Sequence, residues 1–171
     1  MRGYTGQVSP EDRIARIERG IDSLIARLEG LPDQALYAPP AAGEWPVMST
    51  LAHVVEMLPY WAHQCEQLAR VPGAPFGRGH DDPGRLGAIA DHGSDAADVV
   101  RAALRTSLAE AVAALRGLPG EAWDAVGVHP RRGQMTVREV IDAFMVDHVE
   151  EHGAQVDAAL SVLGYSPSQV P

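Results

Sequence analysis

Residues 136–163 read "TVREVIDAFMVDHVEEHGAQVDAALSVL". Thr136 and Glu139 have the spacing of a capping box, which marks a helix start. From there Val137, Val140, Ile141, Phe144, Met145, Val149, Val156, Leu160 and Leu163 return every three or four residues, as one apolar face of a helix does. Gly164 suits the position just past its end. One row of that face, stepping by four, reads Phe144, His148, His152, Val156, Leu160. The two histidines break into the apolar stripe one turn apart, close enough to share one ion.

Three further segments carry the same period. Ser9, Pro10 and Asp12 open the first helix, whose stripe is Ile14, Ile17, Ile21, Leu24, Ile25 and Leu28 before Gly30 and Pro32 end it. The second begins near Trp45–Pro46 and runs to about Arg70 along Leu51, Val54, Val55, Leu58, Ala62, Cys65 and Leu68, with Pro59 expected to kink it. The third starts at Ser94 and uses Val99, Val100, Leu104, Leu108, Val112 (or Ala111) and Leu115 up to "GLPG". No segment shows strand alternation of any length. Residues 71–93 read as a long loop without structure of its own, and "HPRRGQ" as a turn. Four amphipathic helices bury their stripes only against one another. The expected fold is an all-α four-helix bundle, up-and-down in outline, with a long connection between helices two and three. It forms one domain over residues 1–171, with loosely packed ends at about 1–8 and 165–171.

Composition narrows the function. A formal net charge of -9 offers no basic face for phosphates, so nucleic acid is not an expected partner. The apolar runs are too short for a membrane span, and "MRGYTGQVSPEDR" lacks a signal peptide's apolar stretch, so the expected location is the cytoplasm. Cys65, the single cysteine, falls on an apolar stripe and reads as a core residue.

For His148 and His152 the residues alone leave two readings open: imidazoles satisfied by Asp147, Glu150, Glu151 or water, or a chelating pair that needs a further ligand from another helix. The remaining histidines are His53, His63, His80, His92 and His129. The helical wheel puts His53 on a half-exposed face shared with Glu56, Met57, Tyr60 and Gln64. His63 is too far along the helix to serve the same ion. His80 and His92 fall in the long loop, and nothing fixes His129.

"EWPVMSTLAHVVEMLPYW" resembles the signature of the DinB/YfiT-like superfamily, and "GQMTVREVIDAFMVDHVEEHGAQV" resembles that family's last stretch with its His-x-x-x-His. The resemblance runs from the first helix to about Leu163. It implies a four-helix bundle and a divalent metal, zinc or nickel, held by His53, His148 and His152. It also implies a metal-dependent enzyme of thiol-linked transferase, isomerase or related chemistry, using a low-molecular-weight thiol such as mycothiol or bacillithiol. On that reading Arg131 and Arg132 clamp the thiol's carboxylate or a sugar hydroxyl, or else they belong to a solvated turn. Glu56 and Glu151 support the ligands or move protons. Tyr60 and Trp61 line the cleft or pack the bundle, and Gly153 permits close helix approach.

Two alternatives stand beside this. "HVEEH" fits H-x-x-E-H, the inverzincin pattern, which would make Glu151 a general base in a metallohydrolase, although the residues after His152 contain no further histidine. A non-catalytic metal-binding or stress-related interaction protein, in the form of a homodimer, is the other.

Overall fold

The computed structural model describes residues 8–165. The chain ends expected to be loosely packed lie almost wholly outside them. In chain order the helices are α1 (Pro10–Arg27), α2 (Asp33–Tyr37), α3 (Val47–Arg70), α4 (Pro83–His92), α5 (Ala97–Arg116), α6 (Val137–Ile141) and α7 (Asp147–Val162). A 3-10 turn spans Gly120–Asp124, and Asp142–Val146 is π-helical, joining α6 to α7 as one interrupted rod. Both expected capping boxes form. The Ser9 hydroxyl accepts the Asp12 N–H (3.1 Å), and the Thr136 hydroxyl accepts the Glu139 N–H (3.3 Å).

The expected stripes are the core. Ile14, Ile17, Ile21, Leu51, Leu58, Leu104, Val140, Val149 and Leu160 are buried, each worth about 1.5–3 kcal/mol relative to an exposed position. Val99 departs from expectation and faces solvent at 52% exposure. Its neighbour Val100 takes the inward place on α5. Around the bundle the order is α1, α5, α3 and the α6–α7 rod, so the two first long helices lie across a diagonal.

Three arginines tie α1 to the rod. Arg13 donates to both oxygens of Asp142 (2.7 Å each), Arg16 pairs with Glu150 (2.8 Å), and Arg27 pairs with Asp157 (2.6 Å). Gly20 lets the rods approach: a Cβ there would lie 2.5 Å from Val149 Cγ1. Gly153, expected to serve that purpose, does not, because a Cβ there would meet nothing within 4 Å.

Three elements were not expected. α4 occupies the supposed loop; its Asp82 side chain caps the Arg85 N–H (2.9 Å) with Pro83 in the first turn. α2 lies in the linker after α1. An antiparallel hairpin pairs β1 (Val126–His129) with β2 (Gly133–Thr136), and residues 73–76 run alongside β1 through backbone hydrogen bonds to Val126 and Val128. α3 continues through Pro59. α4 and the hairpin border a cleft over the histidines of α3 and α7.

Candidate metal centre

His53, on the first half of α3, is 3% exposed, not half-exposed as the wheel suggested. The wheel counts a helix's own face and cannot see what covers it. Trp45 packs edge-on against the His53 ring (centroids 5.9 Å), and the other side meets the rings of His148 (5.6 Å) and His152 (5.1 Å). Those two histidines sit in the first turns of α7, directly after the π-helical turn, and their own centroids are 4.5 Å apart. A π turn adds a residue to the ladder and re-phases the helix beyond it, a feature frequent at functional sites. Here it carries Phe144 against Trp61, stacked at 4.1 Å and 7°.

Each of the three imidazoles offers a nitrogen within 4.8 Å of the other two, and among the described residues no other group of three or more ligating side chains does so. His152 Nδ1 lies 2.9 Å from the Gln155 amide oxygen, an acceptor, so Nδ1 carries the proton and Nε2 presents its lone pair. That Nε2 is buried without a hydrogen-bond partner, and so is His53 Nδ1. His53 Nε2 faces His148 Nε2 at 3.3 Å, two basic nitrogens turned toward each other. Burial pushes His53 down to about 2 and His148 down to about 4, with neighbouring histidines and Arg85 adding to the effect. Burial lowers His152 as well. All three are neutral at pH 7, the form in which imidazole binds a metal. Three neutral imidazoles from two helices, with the orphaned Nε2 of His152 among them, fit a borderline divalent cation with coordination positions left open.

Two of the rings have a carboxylate three residues on. Glu56 Oε2 is 3.9 Å from His53 Nδ1, and Glu151 Oε2 is 3.9 Å from His148 Nδ1. Glu56 is held by Arg78 (2.5 Å), whose guanidinium also lies 3.8 Å above the Tyr60 ring and pairs with Asp82. Glu151 is largely exposed and lines the cavity, whereas Glu150 turns away to Arg16.

The cavity over the histidines measures about 380 Å³. Trp61, Phe144 and His129 give it an aromatic wall, and Arg78, Arg85, Arg131 and Arg132 surround it. Arg131 and Arg132 are exposed on the hairpin turn. Tyr60 faces a separate recess with Gln64 and Phe76. His63 and His92 are exposed beside Glu66 (3.7 Å) and Asp95 (2.8 Å), and exposed His80 reaches the cavity rim. Cys65 is fully buried, its thiol pushed up to about 12 by desolvation. Site roles for Arg78, Arg85, His129 and Phe144 were not evident in the sequence. The "DDPG" helix start at residues 81–84 was the signal for the first two.

The sequence pattern of the DinB superfamily matches residues 16–156. The chain belongs to the DinB superfamily. Among solved structures, this DinB-superfamily chain is similar to YfiT from Bacillus subtilis, a probable metal-dependent hydrolase with an unusual four-helix bundle topology. The TM-score is 0.77 at 19% identity, over 94% of this chain and 93% of that one. It is also similar to a mycothiol-dependent maleylpyruvate isomerase, with a TM-score of 0.66 at 15% identity, over 100% of this chain and 68% of the other. These likenesses establish the fold. A comparison with curated proteins finds no significant match.

Proposed function

We propose that this protein is a metal-dependent enzyme that binds zinc or nickel through His53, His148 and His152 and activates an external low-molecular-weight thiol for transfer or isomerisation. One observation carries the reading: three neutral imidazoles converge from two helices, and the buried Nε2 of His152 has no partner. When bound, a divalent ion supplies the Lewis acidity that keeps a thiol or water in its deprotonated, nucleophilic form.

The chain's own residues do the rest. Gln155 fixes the His152 tautomer, and Glu56, steadied by Arg78, places negative charge 3.9 Å from Nδ1 on the far side of His53. Trp61 and Phe144 exclude water from one wall. Arg131 and Arg132 stand at the cavity rim. The thiol has to come from outside, because Cys65 is sealed in the core with its proton held tightly. The likeness to a mycothiol-dependent isomerase supports the thiol in this reading.

Glu151 favours a second reading. Its carboxylate lines the cavity beside His148, where it could take a proton from water in a hydrolytic reaction. Cobalt-substituted protein separates the two. Under the thiol reading, mycothiol or bacillithiol at millimolar concentration produces a thiolate-to-cobalt charge-transfer absorption that is absent from His148→Ala. An unchanged spectrum, together with ester or amide hydrolysis that Glu151→Gln abolishes, overturns the thiol reading in favour of the hydrolase.

A further inference from the structure

We propose that Arg85, Arg131 and Arg132 form an oxyanion site that seats the carboxylate or phosphate of a small organic substrate beside the histidine cluster. This names a substrate class for the cavity and rests on the proposed function for its catalytic meaning, though not for the binding itself.

The starting point is a charge contrast. The chain carries a net charge of -9, yet its histidine cavity is lined by four arginines and one carboxylate, Glu151. Arg78 is already neutralised, by Glu56 at 2.5 Å and Asp82 at 3.3 Å. Among the described residues, Arg85, Arg131 and Arg132 have no carboxylate within 4.0 Å. Three like charges gathered round one cavity without counter-charge repel one another, and no other side chain lining it supplies negative charge besides Glu151. A divalent ion would add to the excess of positive charge. An anionic ligand relieves it.

Arg85 is the anchor. It stands in the first turn of α4 and lies 5.1 Å above the Trp45 ring, the same ring that covers His53. It donates one hydrogen bond, to the His80 carbonyl at 2.8 Å, out of the five N–H groups a guanidinium carries. It lines the same cavity as His53, His148 and His152.

The second limb is the β1–β2 turn, and its shape is imposed from within. His129, 5% exposed, accepts the backbone N–H groups of both Arg131 and Arg132 on its Nδ1, at 3.2 Å each. Its ring is stacked on Phe144 (5.1 Å) and packs against Phe76 (5.4 Å). Gly77, at φ 88°, leaves room for it, since a Cβ there would come within 2.6 Å of the ring. A buried side chain therefore shapes an exposed turn and brings two arginines to the cavity. Arg132 then lies 4.8 Å above Phe144. Trp61 and Phe144 supply apolar surface next to these charges, which favours an organic anion over a bare inorganic one.

The test uses chelator-treated, metal-free protein, so that a carboxylate cannot bind through the metal. Isothermal titration compares 3-phenylpropanoate, phenyl phosphate and the neutral 3-phenylpropanamide. The expectation is that at least one anion binds and that the amide binds at least about tenfold more weakly. The tighter anion identifies the headgroup. Arg85→Gln and Arg132→Gln should each weaken the anion by about 10- to 100-fold, the range for losing a charge-assisted hydrogen bond. Arg70→Gln, at the exposed end of α3 and outside the cavity, should leave affinity unchanged. Three results overturn the proposal: no binding by either anion, equal binding of the amide, or no loss of affinity in both Arg85→Gln and Arg132→Gln. An Arg70→Gln loss as large as theirs, showing a bulk-charge effect only, overturns it too. A protein that binds metal and thiol but no anion retains the proposed function and loses only this site.

Discussion

His53 and His63 lie on the same helix, and each has a glutamate three residues later. His53 Nδ1 is 3.9 Å from Glu56, and His63 Nδ1 is 3.7 Å from Glu66, nearly the same geometry. Their surroundings differ completely. The His53 side chain is 4% exposed and the His63 side chain 65%. The His63 ring is open to solvent, whereas His53 has an unpartnered buried Nδ1 and an Nε2 pressed against another histidine. The local motif is therefore neutral as to function. What makes one copy a candidate ligand is the arrival of α7, with His148 and His152, against that turn of α3 and not against the next ones.

The largest effect that could break this contrast is on metal affinity. His53→Ala should abolish tight zinc binding in a competition titration with a chromophoric chelator, and His63→Ala should not change it. Next comes the supporting carboxylate. Glu56→Gln should weaken zinc about tenfold, by removing negative charge close to a ligand, while Glu66→Gln has no effect. Equal behaviour of the two glutamates would mean that Glu56 does not support His53.

A pH effect sharpens the contrast further. His53 and His148 are held below their ordinary value of 6.5, at about 2 and about 4. As pH falls below 6.5 the unfolded chain takes up protons that these folded imidazoles refuse, so the metal-free fold loses stability. Between about pH 6.5 and 4 the loss should approach about 1.4 kcal/mol per pH unit for each such histidine; below about 4 the His148 contribution ends and that of His53 continues. Urea unfolding at pH 7, 6 and 5 measures the slope, and His53→Leu should flatten it. The smallest effect belongs to the exposed pair: removing Glu66 should change stability by less than about 0.5 kcal/mol at pH 7.

Much of this was legible in the sequence, and the rest was hidden for definable reasons. Val137, Val140, Val149, Val156 and Leu160 repeat with the helical period, and Thr136 and Glu139 mark the start, so the last helix could be placed from pattern alone. The π turn at Asp142–Val146 could not, because one extra residue barely disturbs a periodic stripe. The strands Val126–His129 and Gly133–Thr136 are too short to show alternation. α4 buries no side chain fully, so it had only its Asp82–Pro83 cap to announce it. The pairing of His148 with His152 came from helical spacing. The burial of His53 did not, since it depends on Trp45 and on a helix about 95 residues away in sequence. The arginines above it were invisible for the same reason.

The most direct test of the central claim is elemental analysis of purified protein after incubation with zinc or nickel and dialysis, wild type beside His148→Ala. The account predicts one divalent ion per wild-type chain and none retained by the variant, with both proteins folded by circular dichroism. A wild-type chain that keeps no metal, or a His148→Ala chain that keeps the same equivalent, would contradict it.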